Sequence, residues 1–289
     1  MTLDPAGWLA AVREGVAAAA PRAGVFADAV TALLDTGSTN DDVARLAWSG
    51  APEGTTVIAR LQSAGRGRRG ATWHSPAGGL YLSSLLRPDC WPSLQSDATS
   101  PASSLITLMA GVAVAQAVRD VSLTAVELKW PNDVMVRPRS GEGWRKLAGI
   151  LAEGASDGQT MRSVVLGIGL NLTAVPEAPG DVRVRMISLS EAAGMPVSLA
   201  DMLRALLVRL RAGRDALADG AEAMIRAQWL ALAPSANGTS VDWEQDGRVR
   251  HGVTSGIDQR GALQVRLADA IVAVHGGAVR WQPDAQEVS

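Results

Sequence analysis

Two stretches of the sequence gather residues that handle anionic oxygen. "GRGRRG" (65–70), inside "LQSAGRGRRGATWHSP", mixes three arginines with three glycines and holds no apolar residue. Guanidinium groups grip phosphate oxygens in pairs, glycine lets such a loop move, and Trp73 just beyond can stack on a ring once the loop closes. Three readings of the loop stand side by side. A P-loop fits poorly, because GRGRRG is not GxxxxGK[ST] and no helix clearly follows it. A nucleic-acid contact would use the arginines on backbone phosphates, yet the chain offers no basic stripe. The third is a mobile loop that orders around a phosphate-bearing ligand. The second stretch, "LKWPNDV" (128–134), runs a strand into a proline turn and crowds Lys129, Asn132 and Asp133 together. Local turn chemistry is the alternative for Asn132 and Asp133.

Of 27 basic residues only Lys129 and Lys146 are lysines. In so arginine-rich a chain, a lysine suits a tight site that wants a compact point charge. Both lie at ends of neighbouring predicted strands and are expected to face one site. The strand "RSVVLGIGLNL" (162–172) puts Leu166, Ile168, Leu170 and Leu172 on one face and Gly167, Gly169 and Asn171 on the other. Two glycines on one side of a strand bare its backbone to a ligand, or to a tightly packed helix or a bulge.

The remaining inventory narrows the chemistry. His74, His251 and His275 are too scattered for a metal triad, and no nucleophile elbow is present. The single cysteine, Cys90, fits a reducing cytosol, and a formal charge of −2 over 289 residues argues against a general nucleic-acid binder. No apolar run approaches membrane-spanning length, so a cytoplasmic protein with no membrane association is expected. What remains favours positioning and charge stabilisation of a phosphoryl or nucleotidyl transfer, with Mg²⁺ carried by the nucleotide and no metal site of the protein's own.

The elements that must position these residues follow from pattern. Asp4-Pro5 caps a short amphipathic helix, and "STND" (38–41) reads as a capping box. "TTVIARLQ" (55–62) and "GLYLSSLLR" (79–87) are strands flanking the loop, and 101–119 is a buried helix. "VELKW", "DVMVR", "KLAGILAEG" and the glycine-bearing strand form hairpins across the connectors "PRSGEG" and "SDGQ". Helices at 198–213, with Ser198 and Asp201 as a capping box, and at about 219–232 precede a boundary near Pro234–Gly238. Short alternating strands then give a small β domain. The expected fold is α+β, a mixed and largely antiparallel sheet packed with helices, followed by a small all-β barrel. The expected division is a helical segment at 1–27, a main domain at 28–235 and the barrel at 236–284.

Five blocks in order, "DTGSTND", "GRGRRGATWHSP", "LKWPNDV", "KLAGIL" and "VVLGIGLN", resemble the biotin–protein ligases, also called biotin–[acetyl-CoA carboxylase] ligases. The resemblance implies a class II synthetase-like catalytic domain and an SH3-like C-terminal domain. It implies ATP and biotin as substrates and two steps: formation of biotinyl-5′-AMP, then transfer to a lysine of a biotin carboxyl carrier domain. It places Ser38, Thr39, Asn40, Gln62, Gly149, Gly167 and Gly169 in the biotin pocket. Arg66, Gly67 and Arg68 match the loop closing over biotin and the adenylate phosphate. Trp73 matches an aromatic near the adenine, and Lys129, Asn132 and Asn171 match residues around the nucleotide. Lys146 matches the lysine at the biotin carboxyl and phosphate, and Asp133 an aspartate linked to transfer. Ala71 departs from the pattern, where a basic or polar residue is usual.

Some members of that family carry an N-terminal winged helix that represses biotin genes. About 35 residues precede the first block here, so no DNA binding is expected. A homodimer stays open. The alternatives are a lipoate or octanoate ligase, a biotin-sensing regulatory protein, and an RNA-binding protein using the Arg/Gly loop.

Overall fold

A computed structural model describes residues 2–91, 102–138, 143–157, 160–176, 186–245, 247–277 and 279–281. Parts of the connectors "PRSGEG" and "SDGQ", and the end of the expected barrel at 282–284, lie outside the described residues.

A seven-stranded sheet dominates. It comprises β1 (Val30–Leu33), β2 (Thr56–Ala59), β3 (Gly79–Leu86), β4 (Ala125–Lys129), β5 (Asp133–Arg137), β6 (Arg145–Asp157) and β7 (Thr160–Asn171). The order is β1-β2-β3-β7-β6-β5-β4. Only β1 and β2 are parallel, and the segment from β4 to β7 is a run of antiparallel hairpin partners, as the turn-rich connectors predict. The alternation of β7 holds: Leu166, Ile168, Leu170 and Leu172 are all buried in the main core.

That core lies between one face of the sheet and the helices α1 (Pro5–Ala23), α2 (Val25–Asp28), α4 (Ala102–Val121), α5 (Leu189–Ala193), α6 (Leu199–Ala218) and α7 (Glu222–Ala231). Asp4 caps α1 by accepting from Gly7 N at 2.7 Å, with Pro5 in the first turn. The helix is not the short one expected. It runs on through Pro21 because Trp8, Val12, Ala19 and Ala23 keep burying at helical spacing against the rest of the core. Ser198 caps α6 by accepting from Asp201 N at 3.3 Å, as its capping box predicts.

The opposite face of the sheet receives one helix, α3 (Thr39–Trp48), joining the parallel strands β1 and β2. Val43 of α3 packs with Val57, Leu85 and Val165 in a small separate cluster. This anchors α3 flat on the sheet, with its N-terminal residues over the middle strands. The sequence pattern missed β1, whose four half-exposed residues are too few to show alternation.

A second, five-stranded antiparallel sheet follows, in the order β11-β10-β9-β8-β12, with β8 at Asn237–Gln245, β9 at Arg248–Ile257, β10 at Leu263–Arg266, β11 at Ile271–Val274 and β12 at Val279–Trp281. It is joined to the first through the proline turn, where Trp130 Nε1 donates to Gly261 O at 3.0 Å.

At Gly15, α1 crosses α6 so closely that an added β-carbon would lie 2.7 Å from Ala200 O. Helix propensity alone makes Gly→Ala favourable by about 1 kcal/mol, but backbone on both sides leaves the clash no soft outlet. Gly15→Ala should therefore be net destabilising, by about 1–2 kcal/mol. A higher urea midpoint than the parent protein would contradict this packing.

Candidate active site

The face of the sheet that carries α3 is organised in rows of directly paired residues. One row runs Lys129–Asp133–Gly149–Gly169–Tyr81, and beside it lies Leu151–Gly167–Ser83. The glycines leave a bare strip of backbone along two adjacent strands. Two side chains use it. A β-carbon on Gly167 would collide with the amide of Asn40, one on Gly169 with the indole nitrogen of Trp73, and one on Gly149 would come within 2.9 Å of the Trp73 ring.

Lys146 reaches this face through an irregularity. Its position has the same parity as the core residues Ala148 and Ile150, but Val134 pairs with Ala148 and the next residue, Met135, with Lys146. The extra β6 residue, Leu147, goes into the core and turns Lys146 over to the site. There its Nζ stands 2.6 Å from Asp133 Oδ1 and 5.4 Å from the Trp73 ring centre. The approach to Asp133 lacks hydrogen-bond geometry at that oxygen, so the pair is held by charge.

The arginine loop closes one side. In place of an unordered loop it forms a hairpin: Gly67 N donates to Ala71 O at 2.7 Å, Trp73 N to Gly65 O at 2.9 Å, and Arg66 bridges to Thr72. A 3-10 turn at Arg68–Gly70 forms its tip, with Arg69 and Gly70 at positive φ. Arg66 Nη2 lies 2.8 Å from both Asp41 Oδ1 and Glu153 Oε2. Arg68 Nη1 donates to Asn132 Oδ1 at 3.3 Å, and Asn132 Nδ2 donates to Ile150 O at 2.9 Å. Burial draws Arg68 below the ordinary arginine pKa, with Asp133 pulling the other way and Arg69 adding to the decrease.

A hydrogen-bonded chain forms the polar end of the site. Gln62 Oε1 accepts from Thr39 N at 2.9 Å and Gln62 Nε2 donates to Ser75 Oγ at 2.7 Å. The capping-box expectation is corrected here: Ser38 occupies the cap position of α3 but its side chain makes no capping bond. Gln62, far away in sequence, takes the Thr39 amide instead, having left the β2 ladder that was expected to extend to it. Thr39 Oγ1 meets Ser83 Oγ at 2.7 Å, Ser83 Oγ donates to Asn40 Oδ1 at 2.6 Å, and Asn40 Nδ2 donates to Glu153 Oε2 at 2.6 Å. The carboxylate can only accept, so it sets the direction of the chain. Asn40 must turn its NH₂ to Glu153 and its oxygen to Ser83, and the Ser83 proton is then committed, so the one Thr39 hydroxyl proton is shared between two acceptors, Ser83 Oγ at 2.7 Å and Gln62 Oε1 at 3.1 Å.

A cavity of about 280 Å³ brings together Ser38, Thr39, Asn40, Gln62, Arg66, Gly67, Arg68, Trp73, Asn132, Asp133, Lys146, Gly149, Gly167 and Gly169. Two expected members are not on its wall. Lys129 shares the row of Asp133 but stands 5.7 Å over the Trp281 ring, where burial lowers its pKa, opposed by Asp133 and Glu127. Lys129 and Lys146 thus flank Asp133, with Lys146 on the cavity wall and Lys129 outside it. Asn171 is fully buried, and neither its Oδ1 nor its Nδ2 has a partner. The Trp73 indole N–H is likewise buried and unpartnered. Asn171 lies two residues beyond Gly169 on the same face of β7, so these buried groups without hydrogen-bond partners lie along one side of that strand. The sequence reading missed Ser83 and Glu153. Their only signal is a polar residue inside an otherwise apolar strand. A larger groove of about 870 Å³, near the start of α1 and lined by Leu3, Trp8, Met195 and Val197 among others, gathers neither the loop arginines nor the lysines.

Ser83→Ala should cost about 1–3 kcal/mol, because the buried Asn40 Oδ1 loses its donor. Chemical denaturation measures it, and an unchanged midpoint would show that the chain is not energetically coupled.

The family model for the biotin/lipoate A/B protein ligase family matches residues 36–171. The chain is 36% identical over 254 residues to a biotin–[acetyl-CoA-carboxylase] ligase of Mycobacterium tuberculosis, covering 86% of each protein. It is 33% identical over 241 residues to one of Paracoccus denitrificans, covering 81% of this chain and 92% of that one. The bifunctional ligase/repressor BirA of Bacillus subtilis is 32% identical over 245 residues, 84% of this chain and 70% of that protein. In fold, the chain is similar to the biotin protein ligase of Aquifex aeolicus in complex with biotin and ATP. That match has a TM-score of 0.71 at 24% identity over 88% of this chain and 99% of the other. The chain belongs to the biotin/lipoate A/B protein ligase family, among its biotin–protein ligases.

Proposed function

We infer that the protein is an ATP-dependent biotin–protein ligase that activates biotin as biotinyl-5′-AMP and passes it to a lysine of the carrier domain of acetyl-CoA carboxylase. The observation that carries this reading is one cavity holding a polar pocket, a bare backbone strip and three cations, Arg66, Arg68 and Lys146. The polar end at Thr39, Asn40 and Gln62 suits a ureido head, which both donates and accepts; a lipoyl dithiolane offers it nothing. The cations suit a carboxylate meeting an α-phosphate. Asn171, with a free donor and a free acceptor on one side chain, suits the edge of an adenine, which would require Trp73 to shift from its seat on Gly169 and Gly149. Lys129 acts from behind Asp133 through charge.

In the first step a carboxylate oxygen of biotin attacks the α-phosphorus and pyrophosphate leaves. Lys146 and Arg68 offset the charge of two anions brought together. Mg²⁺ would be carried by the triphosphate. In the second step the carrier amine attacks the acyl carbon and AMP leaves. The amine must first lose a proton, and Asp133 is the carboxylate at the site. We assign catalysis to residues 28–235, and an accessory SH3-like role to 236–284.

Incubation with ATP, biotin and a carrier domain, followed by mass analysis, tests the reading: an unmodified carrier overturns it. Lys146→Arg should slow pyrophosphate release about ten- to a hundredfold despite its conserved charge, a loss of about 1.5–3 kcal/mol. Near-normal release would remove Lys146 from the first step. Arg68→Gly should still form the adenylate but release it, labelling bystander lysines. Retention equal to the parent protein in a filter-binding assay would deny the loop a sealing role.

A further inference from the structure

We propose that Glu153 is a positioning residue that biases the arginine loop toward its closed hairpin over the cavity. A single carboxylate oxygen, Oε2, accepts from Asn40 Nδ2 at 2.6 Å and from Arg66 Nη2 at 2.8 Å. It thereby ties the N-terminus of α3, the loop and the floor of the site to one atom. Glu153 is well placed for this. It sits inside the long strand β6, paired with Val165 of β7, on the face that carries the cavity. Asn40 cannot drift, because its amide lies against the bare backbone of Gly167 and is held by Ser83. Arg66 comes from the hairpin, and Asp41 Oδ1, also at 2.8 Å, supplies a second carboxylate. The contact with Glu153 is a hydrogen bond, whereas Asp41 holds Arg66 by charge.

The geometry separates two duties of the one residue. A glutamine at 153 can still accept from Asn40, so Asn40 stays in place, but it carries no charge to hold Arg66. An alanine loses both. The side chains of Arg66, Asp41 and Glu153 are 39–51% exposed, so the ion pair can hold the loop by only a modest factor, about two- to fivefold, and salt must weaken it.

The loop reports on itself, because Arg66, Arg68 and Arg69 are tryptic sites. In ligand-free protein at low salt, Glu153→Gln should raise cleavage within 66–69 about two- to fivefold, with an unchanged melting temperature. Glu153→Ala should raise it further, and the same cleavage in the parent protein should quicken as salt is added. Equal loop cleavage in parent and Glu153→Gln overturns the proposal. So does faster cleavage at all arginines together with a lowered melting temperature, which reports general loosening. Should neither variant fold, the salt response of the parent protein decides alone, and its absence counts against the proposal. A second arm uses the proposed activity: adenylate formed from biotin and ATP should dissociate faster from Glu153→Gln by the same factor. A parent protein that forms no adenylate would overturn the ligase reading, while the proteolysis of the ligand-free protein would still decide the role of Glu153.

Discussion

Three missing β-carbons shape everything above the sheet. Gly149 and Gly169 are paired across β6 and β7, and Gly167 lies one step along the same face. Any side chain at these points would fill the space now held by the Trp73 ring and the Asn40 amide. The strip is therefore a floor that flat groups can lie on, in the middle of a sheet whose other face is closed by the main core. The sheet contributes rigidity and the glycines contribute proximity. Neither alone makes a site: a flat, fully substituted sheet would present side-chain tips, and a glycine loop would not hold its shape.

The cations around this floor arrive by two separate routes, which makes their convergence informative. Arg66 and Arg68 come from a hairpin between β2 and β3, and Lys146 from a bulge in β6. The bulge matters most. Strict alternation would bury the Lys146 ammonium beside Ala148 and Ile150, where an uncompensated charge is prohibitively costly. One extra residue in β6 resolves the conflict by turning the lysine to the side where Asp133 waits. A register defect here is the device that delivers a charge to a chosen face.

What is legible in the sequence follows from which interactions are local. Period-two alternation in β7, antiparallel pairing across the turn-rich connectors and the cap of α6 depend on neighbours in the chain, and all are present in the structure. The glycine strip is visible because both glycines of β7 lie on one strand. Its partner Gly149 is placed at the site only by family resemblance, since cross-strand pairing is not a local property. The same reason hides the cap of α3. A serine at the right place reads as a cap, yet the acceptor is Gln62, brought in by the fold. Glu153 is invisible because one carboxylate on a long strand has no pattern, and its meaning lies wholly in Asn40 and Arg66, each far away in sequence. Lys129 is legible only in part for a related reason. Strand ends locate a residue along a sheet, but not that its ammonium will settle over the Trp281 ring.

The charges of the site are unequal in their readiness to meet an anion. Arg66 is shared between Asp41 and Glu153, and Lys146 faces Asp133. Arg68 differs: its hydrogen bond goes to the neutral oxygen of Asn132, at a long 3.3 Å. It is also half-buried, enough for desolvation to lower its pKa. A guanidinium cannot shed its proton at neutral pH, so it cannot escape this cost as a lysine or histidine can. An arriving phosphate relieves it by supplying the missing counter-charge and two acceptors of matching geometry. The weak bond to Asn132 is the one to be exchanged, and Asn132 keeps its own anchor on Ile150 O when that happens. On the proposed function, Arg68 would be the first cation to take phosphate, Lys146 would follow only if Asp133 yielded it, and Arg66 would remain with its carboxylates. Arg68 is thus a desolvated charge on the cavity wall whose hydrogen bond goes to a neutral oxygen.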